Sequence, residues 1–310
     1  MKSYQRLLLF AIVVLGFTVL LSPWAALTWD YIITTRPGWE SYRYSFGKIF
    51  DRFFMVSGIL LFFCCRRFLR LGPVNQWGLT PRSSAAPDLW RGFSLAVASM
   101  AGLALVMSSA DVFDPFFRLS LARSLERCAS AILAAAAAGF IEELLFRGLI
   151  FKGLYEQLGQ ARAYLFAALF YSAIHFVKPG DPAALGGLDA WTGVRYLANS
   201  FQPFTELDTL FPGLLGLFLI GAVLCYAFER TGTLYLSIGL HAGWIFSLKT
   251  LRVFGDFRRG DLGWLFGSTD PKIVSGVVTW LGILLVGIAV SLITRRRARL
   301  FPDPPARAAA

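Results

Sequence analysis

Long apolar runs separated by short polar connections dominate this chain. The runs lack the polar stripe at helical period that a helix on the surface of a soluble protein carries. Eight of them stand out: Leu7–Leu27, Phe53–Cys65, Phe93–Met107, Ala129–Phe151, Ala163–Val177, Phe211–Phe228, Thr233–Leu251 and Ile273–Thr294. A helix needs about 20 apolar residues to cross a hydrocarbon core. Several runs reach that length, while Phe53–Cys65 and Phe93–Met107 are shorter. The pattern predicts an all-α, polytopic membrane bundle of about eight transmembrane helices, because an apolar segment in lipid must satisfy its backbone internally.

Composition agrees. Of 310 residues, 56% are hydrophobic and 16% are charged, against about a quarter charged in soluble domains. The net charge of +11 would suit nucleic acid, but the placement of the cations argues for a bilayer and no nucleic acid. They cluster at Lys2 and Arg6, at Arg66, Arg67, Arg70 and Arg82, and at Arg295, Arg296, Arg297 and Arg299. With eight spans all three clusters fall on one side, which the positive-inside rule makes cytoplasmic, with both termini. Arg118, Arg123, Arg127, Arg258 and Arg259 lie on the outward connections. The N-terminal run continues through Trp24 to Leu27 with no small-x-small cleavage site, so it reads as a retained signal anchor. Cys64, Cys65, Cys128 and Cys225 have neither disulfide nor zinc-finger spacing and read as packing residues.

No internal repeat divides the chain, and one structural domain is the economical reading. The small side chains of Ala134–Ala138 let neighbouring helices approach closely. Two long connections, Lys178–Asp208 and Thr250–Lys272, face outward in the eight-span topology.

The candidate chemistry lies inside the apolar runs. The stretch AAAAAGFIEELLFRGLIF, Ala134–Phe151, holds Glu142, Glu143 and Arg147. The chain has two histidines: His175 closes YSAIH at the end of the fifth run, and His241 lies in SIGLHAGWIF within the seventh. Ionisable groups in a membrane interior are costly and mark function by default. At 1.5 Å per residue, Glu142, His175 and His241 lie about 15, 20 and 14 Å above the cytoplasmic connections that precede or follow them. In a core of about 30 Å all three are near mid-depth, as a shared site requires. Glu143 and Arg147 are four apart and face each other as an ion pair. Glu142 is turned by about 100° from Glu143 and needs another partner. A carboxylate with two imidazoles can activate water or bind a metal.

These motifs resemble those of the CPBP intramembrane proteases, also called the CAAX-protease and bacteriocin-processing (Abi) family. EELLFRG matches EExxxR, and YSAIH matches FxxxH with Tyr171 in the phenylalanine's place. The third motif, a histidine followed four residues later by Asn or Asp, reads His241-Ala-Gly-Trp-Ile245. The resemblance runs from about Ala129 to Leu248. It implies three stretches: N-terminal transmembrane helices in 1–128, a catalytic core in 129–248, and an outward loop, last transmembrane helix and basic tail in 249–310. It implies an endopeptidase of the bacterial inner (plasma) membrane in which Glu142 and His175 activate a water. His241 would stabilise the oxyanion or share a metal; Glu142, His175 and His241 are the candidate ligands and zinc the candidate metal. Glu143 and Arg147 complete the candidate catalytic set, and the implied partner is a membrane-associated peptide or protein substrate.

Ile245 departs from that pattern, since it cannot donate the hydrogen bond of an Asn. The departure favours an alternative from another class, a catalytically silent membrane protein that binds a peptide, such as a bacteriocin immunity factor. A proton- or cation-coupled transporter also buries carboxylates and histidines, but no inverted repeat supports it. There is no HExxH, no GxSG-like serine site and no intramembrane Asp pair.

Overall fold

The computed structural model describes residues 3–69, 74–81, 83–177, 187–258, 262–267 and 273–295. In chain order its helices begin with α1 (Ser3–Thr35), α2 (Phe46–Leu69), α3 (Ala85–Ser109) and α4 (Leu121–Glu143). A π-helical stretch, Leu144–Phe151, carries α4 without a break into α5 (Lys152–Leu158). Then come α6 (Gln160–Ile174), α7 (Thr192–Asn199), α8 (Leu207–Thr231), α9 (Tyr235–Leu251), α10 (Gly263–Phe266) and α11 (Val277–Thr294). The basic positions Lys2, Arg70, Arg82, Arg259, Arg296, Arg297 and Arg299, and the tail after Arg295, lie outside the described residues.

Each apolar run thus carries a helix, and the all-α reading holds. Among the described residues, five helices are long and apolar enough to cross a membrane: Leu8–Thr35, Ala85–Ser109, Leu121–Leu158, Leu210–Thr231 and Val277–Thr294. α6 and α9 have 15 and 17 residues, roughly 22 and 25 Å of rise, less than the roughly 30 Å of a hydrocarbon core. Exposed faces are apolar, as on α11, where Leu285, Ile288 and Leu292 point outward at 64%, 57% and 64% exposure. A helix that is apolar on its outer face needs lipid against it. The chain is an integral membrane protein.

The helices form two compact units. The first comprises Met1–Leu71 with Ile174–Leu210, and the second Gly72–Ala173 with Phe211–Ala310. In the first, α1, α2 and α7 enclose Val19, Ala26, Phe46, Phe50 and Tyr196. The Tyr196 ring stands edge-on to Phe46 at 5.2 Å. Thr18 and Ser57 hydroxyls, 3.1 Å apart, join α1 to α2, a short polar link of the kind helices use in lipid.

In the second unit α3, α8, α9 and α11 pack around Ala96, Leu224, Ala227, Leu236, Leu240, Val286 and Val290. The backbones of α3 and α9 nearly touch: a Cβ on Gly239 would lie 2.0 Å from the Leu89 carbonyl oxygen. α4 approaches α9 through Gly139, where a Cβ would meet the Ala242 nitrogen at 3.1 Å. That approach sits one residue from His241. The connections after α3 and α9 pair as two short antiparallel strands, β1 (Phe113–Pro115) and β2 (Gly255–Phe257), with Asp114 opposite Asp256. Arg258 Nε binds Asp114 Oδ2 at 2.5 Å across the pair. The pairing brings the C-terminal ends of α3 and α9 to one side, as the eight-span topology expects of its third and seventh runs.

Candidate active site

Glu143 ends α4, and Arg147 lies four residues on in the π-helical stretch. Both side chains are buried, at 0% and 1% exposure, with Arg147 Nη1 2.7 Å from Glu143 Oε1. This is the ion pair expected from the spacing. Arg147 Nη2 also donates to the Gly221 carbonyl of α8 at 3.3 Å. Its guanidinium lies over the Tyr171 ring, 4.4 Å from the centroid. A buried pair survives when further hydrogen bonds and a ring face offset desolvation. The π-helical geometry was not expected from the sequence, which reads as a plain α-helix. Such i→i+5 segments occur mostly as single turns and often at functional sites.

His241 enters this pair from α9. Its Nδ1 lies 2.9 Å from Glu143 Oε1, the same oxygen that takes Arg147. A carboxylate paired with arginine accepts hydrogen bonds, so Nδ1 carries a proton. Nε2 faces two groups: the Tyr171 hydroxyl at 3.3 Å and Glu142 Oε2 at 3.7 Å. The two adjacent glutamates were expected to serve separate partners; they meet one imidazole at its two different nitrogens. Glu143 is wholly buried, whereas the Glu142 side chain keeps 32% exposure.

His175 is placed differently from the expectation of a helical residue. α6 ends at Ile174, and the Val177 N–H turns back onto the Ile174 carbonyl at 3.2 Å, an i→i+3 turn in which His175 lies half-buried. The sequence PGD at 179–181 supplies the breakers that stop a helix here. His175 belongs to the first unit, and Glu142, Glu143, Arg147, Tyr171 and His241 to the second. Ile245 is half-buried one turn beyond His241.

Tyr171 is the contributor that the sequence reading passed over. Its signal was the tyrosine standing in the phenylalanine position of the second motif, which adds one hydroxyl to a position that four residues separate from a histidine.

A catalytic zinc keeps three protein ligands and one open position. Glu142 and Nε2 of His241 offer two, and among the described residues no group of three His, Cys, Asp or Glu side chains is arranged to hold a metal ion. No chemical step is assigned to a metal.

Residues 124–247, from α4 through most of α9, match the family described as Rce1-like, type II CAAX prenyl endopeptidase. No curated protein and no solved structure matches the chain. The family match spans every helix that contributes a side chain to the His241 cluster, and over this segment the chain is similar to the CPBP/CAAX-protease family, a family of endopeptidases.

Proposed function

We propose that the chain is an intramembrane endopeptidase that hydrolyses a peptide bond of a membrane-associated protein or peptide, with Glu142 as the base that activates the water. The observation that carries this reading is the division of labour within the glutamate pair. Glu143 is fully buried and holds Arg147 and His241 through one oxygen, while Glu142, whose side chain keeps 32% exposure, sets Oε2 3.7 Å from the other side of the same imidazole. A general base must reach water, and a positioning carboxylate need not.

In this scheme Glu142 takes a proton from water as the hydroxide oxygen bonds to the scissile carbonyl carbon. The carbonyl oxygen becomes negative, then reforms its double bond as the C–N bond breaks. The proton held by Glu142 passes to the departing amine. His175 shares the activation of water by its place in the second motif. Glu143 fixes the His241 tautomer, and His241 stands beside the developing charge. The catalytic core is 129–248, and the setting is a bacterial inner membrane with both termini cytoplasmic.

Ile245 favours a second reading, a silent peptide-binding protein of the immunity type, because it brings no donor to the wall beside His241. One experiment separates the two. New N-termini are profiled in membranes carrying wild type or Glu142→Gln. Fragments released by wild type alone support the peptidase, and identical profiles support the binder.

A further inference from the structure

The site is assembled across a seam between two helices. Glu143 and Arg147 come from α4 and its π-helical continuation, and His241 comes from α9. Along the seam Gly139 meets Ala242, Glu143 meets His241, and Gly148 meets Leu234, whose Cδ1 would lie 3.4 Å from a Cβ on Gly148. Leu234 precedes His241 by seven residues, two helical turns, so the two side chains share a face. The seam tolerates little movement. Nδ1 of His241 and Glu143 Oε1 are 2.9 Å apart, and opening them by roughly 0.7 Å ends the hydrogen bond.

A segment from neither helix closes the cytoplasmic end of this seam. Three consecutive carbonyls of Gln76, Trp77 and Gly78 point at three different places on it. The Gln76 carbonyl accepts from Lys152 Nζ, where α5 continues the π-helical stretch, at 2.5 Å. The Trp77 carbonyl lies against Gly148, where a Cβ would meet it at 2.7 Å. The Gly78 carbonyl accepts from the Leu234 N–H at 2.8 Å. Leu234 is the N-cap of α9 and wholly buried, so this N–H needs an acceptor from outside its own helix. Gly78 has φ +96°, a conformation that favours glycine, and a Cβ there would meet the Phe228 ring at 2.6 Å. Leu79 then packs against the buried cluster that includes Phe151, Leu234 and Ile238.

We propose that residues 76–78 are a positioning strap for the site, holding the α4 and α9 ends at the separation at which Glu143 meets His241. Gly78 and Lys152 are its positioning residues, and none of the strap touches the reacting atoms. The inference rests on the peptidase reading and adds to it a control point on the cytoplasmic connection between α2 and α3.

Lys152→Met removes the donor to Gln76, and Lys152→Arg keeps one. Glu156→Gln removes the other partner of Lys152, at 3.9 Å, and leaves the strap alone. Gly78→Ala strains the strap directly. The substrate is the precursor that wild type cleaves and Glu142→Gln does not, assayed in reconstituted bilayers below every unfolding midpoint. We expect kcat to fall about tenfold in Lys152→Met and about a hundredfold in Gly78→Ala, the scale of a 1 Å misplacement, with KM nearly unchanged. Lys152→Arg and Glu156→Gln should stay near wild type. Solid-state NMR of 15N-histidine-labelled protein reads the seam without substrate, with His175→Ala to assign the two histidines. Lys152→Met should move the His241 Nδ1 signal, and Lys152→Arg should return it; a merely stabilising strap would leave it in place in folded protein. Should Gly78→Ala fail to fold, the Lys152 pair decides alone. An unmoved signal, or a wild-type kcat in Lys152→Met, overturns the strap and leaves Glu142 as the base. Equal cleavage by wild type and Glu142→Gln brings down the peptidase reading and the inference together.

Discussion

Glu143 Oε1 lies 2.9 Å from His241 Nδ1, a contact that spans 98 residues of chain and ties α4 to α9 at the middle of the site. Because Arg147 takes the same oxygen at 2.7 Å, the carboxylate is anchored on one side while it orients the imidazole on the other. Orientation and charge compensation are therefore one device. Deleting any of the three members disturbs the other two.

The first prediction follows from the separate positions of the two glutamates. Glu142→Gln should lower the cleavage rate by about 10²–10⁴, the range for losing a general base, and leave the thermal midpoint close to wild type. His241→Ala and His175→Ala should also abolish cleavage in protein that still inserts in the membrane. Rates on one identified substrate, with detergent-phase unfolding as the control, check all three. An active Glu142→Gln enzyme would remove Glu142 from the role of base.

Arg147 tests coupling within the buried pair. Arg147→Ala leaves the Glu143 carboxylate buried without its cation, at a cost of about 3–5 kcal/mol, and should reduce folded yield as well as turnover. Glu143→Gln/Arg147→Ala should recover part of the stability and none of the activity, since a glutamine amide does not hold His241 as a carboxylate does. The readout is the unfolding midpoint of the single and double variants. Equal instability of the two would mean that the residues are not coupled.

Gly239 tests whether the close approach of α3 and α9 sets the place of His241. A Cβ there would lie 2.0 Å from the Leu89 carbonyl oxygen, so one helix must move. Overpacking of this kind costs about 1–3 kcal/mol. Gly239→Ala should lower both stability and kcat, because His241 is two residues away on the displaced helix. Gly16, where an added methyl group would meet nothing within 4 Å, should accept alanine with neither effect.

The helices and the Glu143–Arg147 pair were legible because both follow from regular spacing: apolar runs of helical length and a carboxylate four residues before a guanidinium. The meeting of His241 with the glutamates was legible only as a shared depth. Which nitrogen meets which carboxylate depends on the facing of α4 and α9, set by Gly139 against Ala242, and no local pattern encodes it. The π-helical stretch was hidden because eight mostly apolar residues, LLFRGLIF, offer too few polar positions to tell one helical period from another. The end of α6 at Ile174 was misjudged because the run stays apolar through Phe176 and Val177 after the helix has stopped. Tyr171 was overlooked because one hydroxyl on an aromatic ring barely alters an apolar pattern.

The last prediction concerns a carboxylate outside the active site. Glu229 lies two residues before the end of α8 and is 2% exposed. A negative charge at a helix C-terminus opposes the dipole, so the surroundings must stabilise it. They do so through donors from the α5–α6 turn: Gln160 Nε2 gives a hydrogen bond of 2.9 Å and the Tyr155 hydroxyl one of 3.4 Å to Oε1, and the Tyr164 hydroxyl donates to Oε2. Glu229 is thus a clamp that holds this turn, and with it the end of the long α4–α5 helix, against α8. Glu229→Ala removes the acceptor of these buried donors and should cost about 1–3 kcal/mol. Glu229→Gln keeps one carbonyl acceptor but turns an N–H₂ group toward another donor, so its loss should fall between. Unfolding midpoints in a mild detergent should therefore rank wild type, then Gln, then Ala. Cleavage at a temperature where all three are folded should stay near wild type, since the Glu142, Glu143 and His241 contacts involve none of these groups. An Ala variant as stable as wild type would show that the clamp contributes nothing. A folded Ala variant with no activity would mean that the α5–α6 turn acts on the site itself.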